Sequence, residues 1–216
     1  MMSRLVVIVS ALLVACAPAA PPPAAQAAAP PKAVVSAPAP VAASADSLSI
    51  RAHGGAEILA VRPASDGSVA VEFVVDGQKT SLVGKSSDAA KRKYRAGDAV
   101  LFETKWDEDG FKLRSPAGQL LYKIKIKDDK MKVSDNEQNA NPFELKSREG
   151  DRIKVMAPGE KELGNVRALT VEDASGKKLF DVSGRAGSAG YGVLLLDAIP
   201  PAQRYIILTE LFSRGK

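Results

Sequence analysis

Short turn signals recur between residues 66 and 176 and limit this part of the chain to short strands. The segment Val69 to Val75 is rich in β-branched residues and is followed directly by Asp76-Gly77, a dipeptide typical of tight hairpin turns. Further signals lie at Asp66-Gly67, Asp109-Gly110, Ala117-Gly118, Glu149-Gly150, Pro158-Gly159 and Ser175-Gly176. This close spacing predicts a mainly β fold, either an antiparallel barrel of repeated hairpins or a β-sandwich.

Two of these hairpins resemble each other. Residues 113–124 align with residues 171–182, and each segment reads as a strand, a glycine turn and a second strand. The second strands share a leucine followed by an aromatic residue, Leu121-Tyr122 in one and Leu179-Phe180 in the other. The shared pattern favours repeated hairpins, although any two hairpins need the same turn chemistry.

The chain becomes strongly apolar after residue 190. Residues 202–213 are typical of a helix, because Pro200-Pro201 suits a helix start and Gly215 suits a helix end. Arg204 and Glu210 are the only charged residues within this helix, so apolar side chains cover most of its circumference. A helix of this kind is expected to be enclosed, either inside a barrel or as a covering helix on one sheet of a sandwich.

The hairpin Phe111 to Tyr122, followed later by a C-terminal apolar helix, resembles the tubby-like family, particularly its LURP-one-related and scramblase-like branches. The resemblance covers residues 110–212 and consists of element order and pattern. It implies a twelve-stranded barrel that encloses a central hydrophobic helix. Because some members bind phosphoinositides through basic strand residues, it also implies a basic face for anionic lipid.

Composition divides the 216-residue chain at residue 46. The first 46 residues contain Arg4, Lys32 and Asp46 as their only charged groups, and they consist mostly of Ala, Val and Pro. Residues 47–216 have globular composition and form one predicted domain, long enough to bury a core without disulfides. The whole chain has 30 basic and 25 acidic residues, so removing those three charged residues leaves 28 and 24. This excess of four is weaker than the concentrated basic charge of nucleic-acid-binding proteins.

Residues 1–15 are typical of a lipoprotein signal peptide. Arg4 precedes an apolar run from Leu5 to Val14, which is about half as long as a membrane-spanning helix. The following Leu13-Val14-Ala15-Cys16 resembles the bacterial lipobox, which implies cleavage before Cys16 and lipidation of this cysteine. Two alternatives remain, namely soluble secretion after cleavage behind Ala17 and an uncleaved anchor. The first is disfavoured because Pro18 would follow the cleaved bond.

Residues 16–46 are predicted to be the lipidated cysteine and a disordered Ala/Pro-rich linker that acts as a tether. Ala17, rather than Asp, follows the cysteine. By resemblance to Gram-negative lipoproteins, this implies a bacterial envelope location at the periplasmic face of the outer membrane.

A lysine hairpin is the clearest chemical feature of the domain. Alternation along residues 121–133 places five lysines on one face and apolar side chains on the other, if Asp128-Asp129 is a two-residue turn. Such a face is a candidate binding site for an anionic ligand, whereas the plain alternative is a solvated strand whose lysines prevent edge pairing. The candidate residues are Lys123, Lys125, Lys127, Lys130 and Lys132.

Other site chemistries are poorly supported by the sequence. Cys16 is the single cysteine and His53 the single histidine, so a zinc site built from His and Cys clusters is excluded, and a histidine-based triad would have to use His53 at the start of the domain. The polar segment Ser134 to Pro142 lacks the glycine and distal glutamate of an EF-hand loop. Phosphate loops and dinucleotide fingerprints are absent. We therefore expect no enzyme, no metal site, no cofactor and no nucleic-acid partner.

Together these patterns predict an envelope lipoprotein that binds anionic lipid or glycolipid without catalysis and contacts the membrane through its N-terminal lipid. The alternative is a structural or assembly lipoprotein that docks another envelope protein, which would need an exposed apolar patch.

Overall fold

The computed structural model describes residues 47–150, 152–185 and 188–216. The predicted signal peptide, Cys16 and the linker lie outside the described residues. The described chain contains a 3₁₀ helix, Ala189–Leu195, and an α-helix, α1, Pro201–Ser213. Its strands are β1 Leu48–Ala52, β2 Glu57–Pro63, β3 Val69–Val75, β4 Gln78–Ser86, β5 Lys91–Ala96, β6 Ala99–Asp107, β7 Gly110–Arg114, β8 Leu120–Lys127, β9 Lys130–Ser134, β10 Phe143–Arg148, β11 Arg152–Met156, β12 Glu162–Arg167, β13 Thr170–Asp173 and β14 Lys178–Ser183.

The strands form one closed antiparallel barrel. Each strand pairs with its neighbours in sequence, and β1 closes the barrel by pairing with β14 through Ser49 opposite Ser183 and Ile50 opposite Val182. Every described strand therefore has a partner on both sides. The barrel prediction is confirmed and the β-sandwich alternative is wrong. The barrel has fourteen strands, two more than the tubby-like resemblance implies.

The predicted turns fall where strands meet. Asp76 and Gly77 connect β3 to β4 with φ angles of 51° and 77°, the left-handed backbone that a two-residue hairpin turn requires. The other predicted turns also place their glycines at positive φ, namely Gly67, Gly110, Gly118, Gly150, Gly159 and Gly176. Local turn chemistry thus sets the strand pairing at these seven connections.

The two similar hairpins, β7–β8 and β13–β14, share their strand register. Leu113 lies opposite Tyr122 and Val171 lies opposite Phe180, and a bulge follows each pair at the same place. Their turns also match, since the Gly118 amide donates to the Ser115 carbonyl at 2.9 Å and the Gly176 amide to the Asp173 carbonyl at 3.0 Å. The sequence similarity therefore corresponds to the same backbone geometry.

Helix α1 lies inside the barrel. Eight consecutive residues, Tyr205 to Phe212, are buried. The helix packs against β2 and β3, while the 3₁₀ helix fills the opposite side against β10 to β13. Close approach there depends on Gly192, because a Cβ atom would lie 2.6 Å from Leu145 Cδ2. The prediction of an enclosed helix is confirmed, and neither described helix is long and apolar enough to cross a membrane.

A buried carboxylate attaches α1 to the barrel wall. Oε1 of Glu210, which is fully buried, accepts hydrogen bonds from Tyr94 Oη at 2.7 Å and Thr104 Oγ1 at 2.9 Å. Arg92 Nη1 donates to the same oxygen at 3.2 Å, and Trp106 Nε1 donates to Oε2 at 2.7 Å. Burial, and then the Glu210 charge, raise the pKa of Tyr94 well above its usual 10, so its hydroxyl remains a donor. These four donors satisfy a charge that would otherwise oppose burial.

We expect Glu210→Gln to lower the free energy of unfolding by about 3 kcal/mol or more, because it leaves the buried Arg92 charge without its counterion. If the amide nitrogen of the glutamine takes the place of Oε2, Trp106 also loses its hydrogen-bond acceptor. If the amide has the opposite orientation, Tyr94 and Thr104 lose their acceptor instead. Chemical denaturation measures the change. The control is Glu103→Gln on the outer surface of β6, which we expect to cost less than about 1 kcal/mol. Equal effects in the two variants would show that the Glu210 cluster does not anchor the helix.

Candidate anion-binding site

The lysine hairpin adopts the predicted register. Lys127 lies directly opposite Lys130, and Lys125 lies opposite Lys132. Ile124, Ile126, Met131 and Val133 belong to the apolar side that packs in the barrel. The five candidate lysines therefore share the outer surface of β8 and β9, and the predicted geometry is confirmed.

The basic surface continues over the next two strands. Lys146 of β10 lies opposite Lys130 and also opposite Lys154 of β11, and Arg148 lies opposite Arg152. Four lysines thus stand side by side across β8 to β11. We define the basic face as the outward cations of these four strands: Lys123, Lys125, Lys127, Lys130, Lys132, Lys146, Arg148, Arg152 and Lys154.

The cations of the basic face on β10 and β11 were not predicted from the sequence. A usable signal was present, since Lys146-Ser-Arg148 and Arg152-Ile-Lys154 flank the Gly150 turn with the same alternation as the lysine hairpin. Each run contains only two cations and is therefore less conspicuous than the three lysines of β8.

One carboxylate lies at the centre of the basic face. Glu144 of β10 is 3.4 Å from Lys130 Nζ, 3.1 Å from Lys132 Nζ and 2.5 Å from Lys146 Nζ. The hydrogen bond from Lys146, together with those from Lys132 and Lys130, lowers the pKa of Glu144 from its ordinary 4.5 to about 2. Glu144 is therefore charged at neutral pH and acts as a built-in anion among three lysines.

A second carboxylate reaches the basic face from the loop between β9 and β10. Glu137 pairs with Lys112 at 2.7 Å and with Arg114 at 3.4 Å, and its backbone carbonyl accepts a hydrogen bond from Lys123 Nζ at 2.6 Å. The hydrogen bond from Lys112 lowers the pKa of Glu137.

Within the loop, Asn136 Oδ1 accepts a hydrogen bond from the Ala140 amide at 2.7 Å, so this polar segment is held by its own hydrogen bonds.

Positive charge remains in excess on the strands. Four carboxylates, Asp109, Glu137, Glu144 and Glu162, pair with seven of the nine cations of the basic face. Asp128, Asp129 and Glu149 add negative charge at the hairpin turns, away from the middle of the strands. The strand centres of β8 to β11 therefore form the positive part of this surface.

Open grooves lie between the cations. One groove of about 250 Å³ is lined by Lys125, Lys127, Lys130, Lys132 and Asn139. Two larger grooves on β10 and β11, of about 540 and 670 Å³, share Arg148 and Lys154 in their lining. Cationic side chains thus line depressions that are wide enough for small anionic groups.

Barrel closure removes one explanation for the lysines. Edge strands commonly carry lysine to prevent pairing with another chain. Neither β8 nor β9 is an edge, because β8 pairs with β7 and β9, and β9 pairs with β8 and β10. Protection of an edge therefore cannot account for the lysine hairpin.

The single histidine lies away from the basic face. His53 Nδ1 is 2.8 Å from Asp181 Oδ2, and both side chains are about half exposed, at 47% and 46%. Among the described residues, no group of three His, Cys, Asp or Glu side chains converges on a common point. Of the candidate sites, the basic face is therefore the one with the most supporting geometry.

No protein-family model, curated protein or solved structure matches this chain. The class that the structure defines is a closed antiparallel barrel with an internal C-terminal helix and a basic outer face.

The Glu144 cluster should make stability depend on pH. Its folded-state pKa of about 2 lies below the ordinary 4.5, so its stabilisation is complete above about pH 4.5 and is lost as the pH falls towards 2. We expect Glu144→Gln to lower the free energy of unfolding by about 1 kcal/mol at pH 7. That difference should shrink progressively below pH 4.5. Urea denaturation over this range measures it, with Glu160→Gln in the exposed turn after β11 as the control. A difference independent of pH would contradict the assignment.

Proposed function

We propose that this protein is a non-catalytic binding module for anionic lipid or glycolipid in the bacterial envelope. The observation that carries the proposal is the row of four lysines, Lys127, Lys130, Lys146 and Lys154, which lie directly opposite one another on consecutive strands. Like charges placed opposite each other destabilise a sheet, and an anionic ligand would relieve this repulsion.

Membrane electrostatics give such a face a useful affinity. A lysine near an anionic surface contributes about 1 kcal/mol, and salt screens this contribution. The side chains of Lys130, Lys132, Lys146 and Lys154 are between 28% and 32% exposed, so they remain reachable although carboxylates neutralise part of their charge. Several weak contacts acting together favour an anionic surface over a single small anion.

The alternative function, docking of another envelope protein through an apolar patch, has less support. Val83 is the one large hydrophobic residue that the described part of the chain exposes, and its relative exposure is 43%. A docking surface of this kind needs a contiguous apolar area of several hundred Å². The described surface therefore favours an anionic ligand.

We also propose that lipidated Cys16 holds the barrel at the periplasmic face of the outer membrane through the linker of residues 16–46. The lipobox pattern and Ala17 support this placement. A relationship to the tubby-like family is part of the same proposal, and the internal C-terminal helix supports it.

The binding proposal is tested on the full chain carrying Cys16→Ser, which removes the predicted acylation site. Replacing Lys127, Lys130 and Lys146 with Gln removes three charges, so we expect roughly 100-fold weaker binding to vesicles containing phosphatidylglycerol at low salt. The matched control replaces Lys161, Lys177 and Lys178 with Gln. These exposed lysines lie on other turns and strands. Equal losses of affinity in the two triple variants would show that binding depends on net charge alone, which would contradict the proposal.

Glu144→Gln tests the same site in the opposite direction. Removal of this carboxylate frees Lys130, Lys132 and Lys146 from their internal counterion, so we expect tighter binding to the same vesicles. Weaker or unchanged binding would show that these lysines do not contact the lipid.

Mass spectrometry of the mature N-terminus tests the anchor. We expect a chain that begins at Cys16 and carries diacylglycerol and acyl modifications when the protein is expressed in a Gram-negative host. A mature chain that starts at Pro18, or an unmodified Cys16, would contradict lipidation.

A further inference from the structure

A second row of lysines crosses the neighbouring part of the barrel. Lys91 of β5 lies opposite Lys105 of β6, Lys105 lies opposite Lys112 of β7, and Lys112 lies opposite Lys123 of β8. We call these four residues the second lysine row. It meets the basic face at Lys123, so β8 carries cations of both.

The two sets of cations cover half of the barrel circumference. Together they place at least one outward cation on each of seven consecutive strands, β5 to β11, of the fourteen. Neighbouring strands lie about 4.8 Å apart, so six steps correspond to roughly 29 Å measured across the strands. The complete cationic belt is therefore much wider than a single phosphate headgroup.

The curvature of the barrel prevents one flat partner from contacting both sets of cations. A planar membrane touches a cylinder along a limited sector, and charges are largely screened beyond about 8 to 10 Å at physiological salt. When β8 to β11 face a membrane, Lys91 and Lys105 on β5 and β6 are turned away from it. A flat surface cannot use the whole belt, whereas a flexible chain can follow the curvature.

The second lysine row is also incompletely neutralised. Lys91 and Lys105 form no ion pair with any residue of the described chain, and Lys105 is exposed. Lys112 and Lys123 share Glu137, whose carboxylate is 2.7 Å from Lys112 Nζ and 3.9 Å from Lys123 Nζ. Because the Glu137 side chain is 45% exposed, it resembles a counterion that an incoming anionic group can replace.

We propose that the ligand is an extended, flexible chain of repeated phosphate groups that curves around the barrel from β5 to β11. Such chemistry occurs in a phosphorylated glycan, either attached to a glycolipid or free, and differs from the compact headgroup of a phospholipid. The proposal rests on the proposed function for its β8 to β11 portion. The second lysine row is the new part of the site and selects long ligands over short ones.

Inorganic polyphosphate is the probe for this proposal. Titration calorimetry at constant ionic strength compares tripolyphosphate with a polyphosphate of several tens of phosphates, using the full chain with Cys16→Ser. We expect Lys91→Gln combined with Lys105→Gln to weaken binding of the long chain roughly tenfold or more. Binding of tripolyphosphate and of phosphatidylglycerol vesicles should change less than twofold.

A matched variant controls for net charge. Lys177→Gln combined with Lys178→Gln removes the same two charges on the other side of the barrel, at exposed positions, and should leave long-chain binding within about twofold. Thermal melting confirms that both double variants are folded. Equal loss in the two variants, or no loss in the Lys91/Lys105 variant, would overturn the extended-ligand proposal.

The vesicle measurements separate this result from the proposed function. If vesicle binding depends on Lys127, Lys130 and Lys146 while Lys91 and Lys105 have no effect on polyphosphate, the extended ligand is excluded and the membrane-binding function stands. If the triple variant binds vesicles as the unaltered protein does, the proposed function fails whatever the polyphosphate result.

Discussion

The buried carboxylate of Glu210 is the interaction on which the arrangement of this barrel depends. A charge deep in an apolar interior is unfavourable unless it is fully hydrogen-bonded, and here two adjacent strands supply Arg92, Tyr94, Thr104 and Trp106 as donors. All four alternate inward on β5 and β6, so the carboxylate can be satisfied only when α1 has one position relative to these strands. Apolar packing alone would permit neighbouring positions, because Ile206, Ile207 and Leu208 are similar in shape.

A filled interior determines where function can reside. Helix α1 and the 3₁₀ helix occupy the space that many barrels leave for a ligand, and the inward side chains of the wall pack against them. Binding chemistry is thus confined to the outer surface and the barrel ends. The alternation that places Ile124 and Ile126 inside places Lys123, Lys125 and Lys127 outside, so core and basic face follow from one pattern.

Local features of the sequence were sufficient to predict the hairpins, the internal helix and the lysine register. Asp76-Gly77 and Asp128-Asp129 each define a two-residue turn, and a turn fixes the pairing of the strands on either side of it. Closure of the barrel was harder to predict, because Ser49 and Ser183 are far apart in sequence and no tight turn joins their strands to set the pairing. The Glu210 cluster is similar: its donors lie 104 to 118 residues away, and nothing local to Glu210 distinguishes it from a surface charge. The second lysine row needs three correct registers in succession, from β5 to β8, and no local pattern in the sequence links its four members.

The seam between β1 and β14 has a consequence for how the chain acquires its structure. Strand β1 completes the wall, and helix α1 completes the interior. Leu48 and Ile50 at one end and Leu208 and Phe212 at the other belong to the same buried cluster. The core is therefore complete only when both ends of the domain are present. We therefore expect the barrel to fold and unfold in one cooperative transition, because the strand at one end and the helix at the other complete the same core.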